Sequence, residues 1–233
     1  MPATPLLIPG LACDAELFAH QVATWSGPQT PQLAQAHADA ATLAEMAAIL
    51  LATHAGELLP VGCSMGGMVA LEMARQAPRR VRALALLGSS ARPDTPQLIE
   101  LRTRSIAAFE AGRLDEVLRA NVMFAFHPLH AKQPALIERY VAMVRRAGVP
   151  RLVSQNRAVM ARADLRPTLR GIGCPVLVAC GEADGLTPPE HARELLSLLP
   201  QARLEIVPGA GHMLTMEQPE RVSALLRAWF ASL

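Results

Sequence analysis

Aromatic side chains are scarce in this sequence: phenylalanine, tyrosine and tryptophan together make up 3% of its 233 residues. The core must therefore be built from Leu, Val, Ala and Met. A strong excess of charge is also missing, since the formal net charge is only +2. This balance gives no reason to expect a nucleic-acid partner. With 51% hydrophobic and 18% charged residues, the chain can bury a sizeable core in one α/β domain.

Long apolar runs and diagnostic cysteine patterns are missing as well. The sequence contains no stretch of about 18 apolar residues, so we expect no membrane span. Its start, MPATPLLIPG, lacks the basic residues and long apolar segment of a signal peptide. Its 4 cysteines show no zinc-type spacing, and a chain of this length rarely needs a disulfide framework. These observations predict a cytoplasmic protein with reduced thiols.

What the sequence does contain is an alternation of short apolar runs and longer helical patterns, which predicts βα units and a parallel sheet. The runs are apolar on both faces, as in strands that helices cover on each side. Strands are predicted at 5–9, 31–36, 58–62, 81–88, 174–181 and 202–207. Helices are predicted near 15–25, 42–55, 65–76, 188–199 and 218–231. Thr42 and Glu45 have the spacing of a capping box at the start of the second helix.

The alternation stops between residues 93 and 170, where only helical patterns occur. They predict three or four helices inserted after the fourth strand, over the sheet edge where open α/β sheets bind ligands. We therefore expect an α/β fold with a mostly parallel, doubly wound sheet of about six strands. Its core would comprise residues 1–92 and 171–233, and residues 93–170 would form a helical cap. The cap is either a lid over a site or a structural elaboration.

The stretch GCSMGG follows one of the apolar runs and places Ser64 among glycines. Residues 62–66 match the G-x-S-x-G pattern, in which a tight strand-to-helix turn forces a nucleophilic serine into a strained backbone conformation. Only hydrogen side chains fit at Gly62 and Gly66 in such a turn. The N–H groups at the start of the following helix would stabilise an oxyanion near the serine. The alternative is an ordinary turn, where glycine and serine are both common.

A serine hydroxyl becomes a good nucleophile only when a base removes its proton and a third group orients that base. Among 7 histidines, His212 stands out because its loop directly follows the last predicted strand. Asp184, in the loop after the strand at 174–181, is the preferred acid. Glu182 and Asp94 are its alternatives. Ser64, Asp184 and His212 each follow the carboxyl end of a strand, so they can converge above one sheet edge.

Several segments in this order (LLIPGLACD, GCSMGG, SSARPDTPQ, CGEADGLTPPE and VPGAGHMLTMEQPERV) make the sequence resemble the α/β-hydrolase fold superfamily. Within it, the sequence is similar to small bacterial esterase-like serine hydrolases, such as the carboxylesterase of biotin synthesis and the menaquinone-pathway member. The resemblance implies a nucleophile at Ser64, an acid at Asp184 and a base at His212. It also implies an oxyanion hole formed by the backbone N–H groups of Leu11 and Met65.

The sequence departs from that family at three places. Pro9-Gly10 stands where many members have His-Gly. No hairpin precedes the first predicted strand, which predicts a trimmed sheet. Pro60 lies inside a predicted central strand, where proline would remove a ladder hydrogen bond, so we expect a local bulge there.

The expected activity is hydrolysis of a carboxylic ester or thioester, with no metal and no cofactor. The alternatives are a lyase or carbon–carbon hydrolase that uses the same three residues, and a ligand receptor without catalysis. Residues 94–170 contain 13 basic and 7 acidic side chains. This surplus predicts either ordinary solvated helix faces or a basic cap that attracts an anionic substrate or an acidic acyl carrier.

Overall fold

Six parallel strands form a single sheet in the computed structural model, which describes residues 3–27 and 29–233. The strand order is β2-β1-β3-β4-β5-β6. The strands are β1 (Thr4–Ile8), β2 (Gln32–Leu33), β3 (Leu58–Cys63), β4 (Leu84–Leu87), β5 (Val176–Gly181) and β6 (Ala202–Val207). Each neighbouring pair is parallel. The predicted fold class is confirmed.

Helices cover both faces of this sheet. They are α1 (Ala19–Ala23), α2 (Leu43–Thr53), α3 (Met65–Gln76), α4 (Pro96–Glu110), α5 (Leu114–Ala125), α6 (Pro134–Met160), α7 (Pro189–Leu198), α8 (Leu214–Glu217) and α9 (Pro219–Phe230). Alternate strand residues enter two different buried clusters: Leu7 belongs to one, Leu6 and Ile8 to the other. The central strands are therefore buried on both sides, as their continuous apolar runs predict. Of the helices in the described ranges, none has the length and apolarity needed to cross a membrane.

The main differences from the predicted boundaries are at a strand in which few residues pair with the neighbouring strand and at the first helix. The strand predicted at 31–36 shrinks to Gln32 and Leu33, because only these two residues pair with β1 at the sheet edge. The helix predicted at 15–25 divides into a 3-10 turn at Ala15–Phe18 and α1. The capping box of α2 is confirmed: the Glu45 amide donates to the Thr42 hydroxyl, and the Thr42 amide donates to the Glu45 carboxylate, both at 3.1 Å.

Pro60 lies within β3, opposite Leu6 of β1, and the ladder on its other side is irregular. Leu58 pairs with Val81, whereas Val61 pairs with Ala85. Two residues thus lie between Leu58 and Val61 on β3, whereas three lie between their partners Val81 and Ala85 on the neighbouring segment. The extra residue is therefore on the neighbouring segment and not on β3, where the bulge was expected, and it lies opposite the proline that has no N–H to donate.

The segment between β4 and β5 contains α4, α5 and α6, and we refer to residues 93–170 as the cap. Helix α6 is kinked at Gly148, whose φ of 78° is non-helical, shortly before Pro150. Cap and core also carry complementary charges. Three cap arginines form ion pairs with core carboxylates at 2.6–2.8 Å, in the pairs Arg139–Glu16, Arg146–Asp14 and Arg151–Asp39.

The turn from β3 to α3 brings three backbone segments into close contact. A Cβ atom added at Gly62 would lie 2.2 Å from the carbonyl oxygen of Gly66. One added at Gly66 would lie 2.0 Å from the carbonyl oxygen of Ile8 in β1. Real Cβ atoms do not approach backbone that closely, so the turn and its packing on β1 require glycine at both positions.

We expect the substitution Gly62→Ala to lower the free energy of unfolding by about 2 kcal/mol or more, because the new methyl group must displace backbone in a close-packed region. Urea denaturation followed by circular dichroism measures this change. Gly171→Ala is the matched control, since a Cβ there meets nothing within 4 Å. An equal effect of the two substitutions would show that the turn tolerates a side chain at Gly62.

Candidate active site

Ser64 occupies the turn itself, with φ 54° and ψ −117°. Among the described residues, only Ser64 and Ala12 combine a side chain with positive φ. Hydrogen bonds hold the strained serine on both sides: its amide donates to Leu87 O at 2.8 Å, and its carbonyl accepts from Ser89 Oγ at 2.9 Å. The turn keeps Ser64 partly exposed between buried neighbours, at the carboxyl edge of the sheet.

A continuous chain of hydrogen bonds joins Ser64, His212 and Asp184. The Ser64 Oγ lies 2.9 Å from His212 Nε2. On the other side of the ring, His212 Nδ1 lies 3.0 and 2.9 Å from the two Asp184 carboxylate oxygens. A carboxylate only accepts, so Nδ1 carries the ring proton and Nε2 of the neutral imidazole faces the serine hydroxyl as an acceptor. The structure therefore brings the three predicted residues together in the order that nucleophilic catalysis requires.

Asp184 is kept ionised by the donors around it. Its Oδ1 accepts from the Leu186 and Thr187 amides at 2.9 and 2.8 Å, and its Oδ2 accepts from Thr187 Oγ1 at 2.9 Å. Burial alone would raise the pKa of this carboxyl. The charge and hydrogen bond of His212, with the two amides, outweigh burial and hold the pKa below its ordinary value. Thr187 is a supporting residue that the sequence pattern did not identify.

His212 is buried, and burial alone would lower the pKa of its imidazole. The negative charge of Asp184 and its hydrogen bond outweigh this effect, and the charge of Glu217 acts in the same direction. The positive charge of Arg102 opposes them. The net result is a pKa above the ordinary value for histidine, so the site stabilises the imidazolium form that appears when His212 accepts a proton.

The loop that carries His212 is held in part by the cap. The amides of His212 and Met213 donate to the carbonyl of Ala125, at the end of α5, at 2.9 and 3.1 Å. The buried Glu217 accepts from the amides of Gly211 and His127 at 2.9 and 2.7 Å. Sequence reasoning missed these supports, because no motif marks the carbonyl or the carboxylate that accepts these hydrogen bonds.

The alternative acids occupy other positions. Asp94 is buried and forms ion pairs with Arg102 at 2.7 Å and Arg162 at 2.8 Å. Glu182 accepts from the Gly209 amide at 2.7 Å. Neither carboxylate hydrogen-bonds to His212 in the part of the chain that the structure describes, whereas Asp184 does.

The histidine pair in the cap, His127 and His130, has no metal-like surroundings. His130 Nδ1 lies 3.1 Å from Glu217, and His127 Nε2 lies 3.6 Å from Glu182. Within residues 3–27 and 29–233, no group of three or more His, Cys, Asp or Glu side chains is arranged to hold a metal ion. These histidines therefore act as partners of carboxylates.

Two backbone amides, those of Leu11 and Met65, lie in segments that adjoin Ser64. Met65 is the first residue of α3, so its N–H is at the positive end of the helix dipole. Leu11 follows Gly10, where an added Cβ would lie 3.3 Å from the Ser64 Cβ. Neither amide donates a hydrogen bond to another described residue. Both remain available to a negatively charged oxygen beside the serine.

Comparison with known proteins is consistent with this geometry. A family model described as the alpha/beta hydrolase fold matches residues 23–219. A pimeloyl-[acyl-carrier protein] methyl ester esterase from Yersinia enterocolitica is 30% identical over 195 residues, which cover 80% of this chain and 74% of that protein. A solved thermophilic esterase from Thermogutta terrifontis is 26% identical with a TM-score of 0.88, over 100% of this chain and 90% of that one. An enol-lactonase from Burkholderia xenovorans LB400, at 20% identity, shares the fold with a TM-score of 0.83 over 99% and 92% of the two chains.

We expect Asp184→Asn to lower the pKa of His212, because the substitution removes the negative charge that raises this pKa while the burial that lowers it remains. An NMR titration of the imidazole resonances measures the shift. Glu182→Gln is the control and should leave the pKa of His212 unchanged. If the two variants gave the same titration curve as the unmodified protein, another group would be responsible for the raised pKa.

Proposed function

The chain belongs to the α/β-hydrolase fold family, and from that membership we propose that it is a serine hydrolase that cleaves a carboxylic ester or thioester. The single observation that supports this proposal best is the hydrogen-bonded series Asp184–His212–Ser64 above the carboxyl edge of the sheet. The names of the Yersinia and Thermogutta proteins, both esterases, support an ester bond as the target.

In the first half of the proposed reaction, the Ser64 Oγ attacks the carbonyl carbon of the substrate while its proton passes to His212 Nε2. The carbonyl oxygen becomes an oxyanion, which the N–H groups of Leu11 and Met65 bind. One such donor is worth about 3–4 kcal/mol in the transition state. The imidazolium then gives its proton to the leaving alcohol or thiol, and the carbon–oxygen or carbon–sulfur bond breaks. An acyl group remains attached to Ser64.

In the second half, a water molecule attacks the acyl carbon while His212 Nε2 accepts one of its protons. The oxyanion forms again and is bound by the same two amides. When the tetrahedral intermediate collapses, the proton returns to Ser64 Oγ and the carboxylic acid leaves. Asp184 stays ionised throughout: it holds the Nδ1 proton in place and stabilises the imidazolium.

A lyase or carbon–carbon hydrolase would use the same three residues, but no further observation favours it over an esterase. A receptor without catalysis would have no use for the aligned proton acceptor at His212. We also propose that the core and cap divide at residues 92/93 and 170/171, and that the cap covers the active site.

The finer part of the proposal is that an acidic acyl carrier delivers the substrate. The name of the Yersinia relative, an esterase of an acyl-carrier-protein ester, supports this idea, as does the basic surplus of the cap. Part of that basic surplus already forms ion pairs with carboxylates of the same chain. Arg146 pairs with Asp14 of the core, and Arg145 pairs with Asp115 within the cap, although both arginines remain about half exposed, at 51% and 50% of their side-chain surface.

We expect Ser64→Ala to abolish hydrolysis of simple esters without loss of the fold, because it removes the nucleophilic oxygen and little packing. Hydrolysis of a p-nitrophenyl ester measures the activity, and circular dichroism checks the fold. A fluorophosphonate probe should label the unmodified protein at Ser64, and the labelled peptide identifies the site by mass spectrometry. Most of the activity surviving in folded Ser64→Ala would contradict the proposed mechanism.

For the carrier, we expect the double reversal Arg145→Glu, Arg146→Glu to lower kcat/KM for a carrier-linked ester while kcat changes little. The reason is that the variant loses electrostatic attraction during encounter and keeps its chemistry. The effect should shrink as salt rises, since the screening length falls from about 10 Å at 0.1 M to about 3 Å at 1 M.

Two controls accompany this measurement. A neutral ester with the same acyl group should respond to neither the reversal nor the salt, because it has no charge to attract. The reversal Arg221→Glu, on α9 of the core, should leave both substrates unaffected. Equal responses of the charged and neutral substrates would show that these arginines are ordinary solvated residues.

A further inference from the structure

We propose that Gln155, on the cap helix α6, is a positioning residue that fixes the loop after β1 and thereby aims the Leu11 amide at the oxyanion. This inference rests on the proposed function, because it assigns the Leu11 N–H a role in hydrolysis. It goes beyond that function in giving the cap a direct influence on transition-state stabilisation.

Gln155 connects three distant segments through one buried amide group. Its side chain accepts a hydrogen bond from the Ala12 N–H at Oε1, at 2.7 Å. Its Nε2 donates to the Ala38 carbonyl, in the segment after β2, at 3.0 Å. Only 3% of the residue is exposed. With both ends of the amide bonded and the residue buried, the side chain has one orientation, so it can act as a rigid support.

The loop that Gln155 holds is one that needs support. Ala12 has φ 53°, in the left-handed region that a residue with a Cβ rarely adopts. Such a conformation persists only where surrounding interactions impose it. The Cys13 amide closes a turn onto the Gly10 carbonyl at 3.1 Å, and the Gln155 bond fixes the Ala12 amide inside that turn. The Leu11 amide belongs to the preceding peptide of the same turn, so its direction depends on the same constraint.

The second half of α6 is anchored against this region. After the kink at Gly148, the buried side chains of Leu152, Val153 and Val159 join the core clusters. Arg151 forms an ion pair with Asp39 at 2.8 Å, next to the Ala38 carbonyl that Gln155 binds. The support for the loop after β1 therefore comes from a helix that also belongs to the cap.

A purely structural role would predict something different. If Gln155 only satisfied buried polar groups, its replacement would reduce stability, and any loss of activity would follow the loss of folded protein. A positioning role instead predicts that the folded variant binds its substrate normally and loses stabilisation of the transition state. These two effects can be measured separately.

The test replaces Gln155 by methionine, which has similar volume and whose sulfur is at most a weak acceptor for the Ala12 amide. We expect kcat of folded Gln155→Met to fall about 10- to 100-fold with KM nearly unchanged, a smaller loss than removal of a whole oxyanion donor. The affinity for a trifluoromethyl ketone, whose hemiketal adduct with serine carries the oxyanion, should fall by the same factor. Binding of an intact ester should be equal in Ser64→Ala and in Ser64→Ala combined with Gln155→Met.

Gln21→Met is the matched control. Gln21 is 2% exposed and donates to the carbonyls of Thr215 and Pro219, away from the loop after β1. It should lose stability with kcat within about twofold of the unmodified protein. Gln155→Asn, whose shorter amide does not reach Ala12, should reproduce the kcat loss if Gln155→Met fails to fold.

Two results would overturn the inference. One is an unchanged affinity of folded Gln155→Met or Gln155→Asn for the ketone. The other is an equal reduction of kcat in Gln155→Met and Gln21→Met. Fluorophosphonate labelling of the unmodified protein distinguishes failure of this inference from failure of the proposed function. If Ser64 is labelled and either of the two results is obtained, only the role of Gln155 is rejected. If Ser64 is not labelled, the role of Gln155 and the proposed function are both rejected.

Discussion

The left-handed backbone of Ser64 is the constraint on which the site depends. A residue with a Cβ adopts a positive φ only where surrounding contacts impose it. Here those contacts come from β1, β4 and the start of α3, which enclose the turn. Gly66 must lack a side chain because the Ile8 carbonyl lies where a Cβ would be. The same packing brings Gly10 beside Ser64. One tight turn therefore sets the direction of the serine hydroxyl, the position of the first α3 amide and the approach of the loop after β1.

A second requirement is that the buried carboxylate of Asp184 and its imidazole partner have all their polar atoms hydrogen-bonded. His212 and Asp184 lose hydration on burial, and this loss would neutralise an isolated carboxylate. Asp184 regains the lost interactions from His212, Thr187 and two backbone amides, so it stays charged without an arginine or lysine partner. Its charge in turn raises the proton affinity of His212. The site is therefore not a charge relay, because the proton on His212 Nδ1 stays on the ring and is not transferred to Asp184.

Sequence reasoning located the strands, the strained serine and its two partners because each leaves a local mark: an apolar run, glycines at fixed spacing, or a polar residue just after a strand. The short edge strand β2 and the split first helix were less visible, since tertiary pairing and not propensity determines their ends. Thr187 and Glu217 were not found at all, because no motif marks the side chains that hydrogen-bond to Asp184 and to the loop of His212. The basic surplus of residues 94–170 was visible, but its pairing with Asp14, Glu16 and Asp39 depends on how the cap packs.

This pairing changes how the cap should be understood. A surplus of positive charge on an inserted segment attracts first the carboxylates that share its chain, because they are always close and lose little entropy on pairing. The cap is further tied to the core at the Ala125 carbonyl, which receives the His212 amide, and at Gln155, which receives the Ala12 amide. Both bonds end on loops that lie beside Ser64 or carry His212. Opening of this insertion as a rigid lid would break both hydrogen bonds, so cap movement would be coupled to the loop that carries His212 and to the loop after β1.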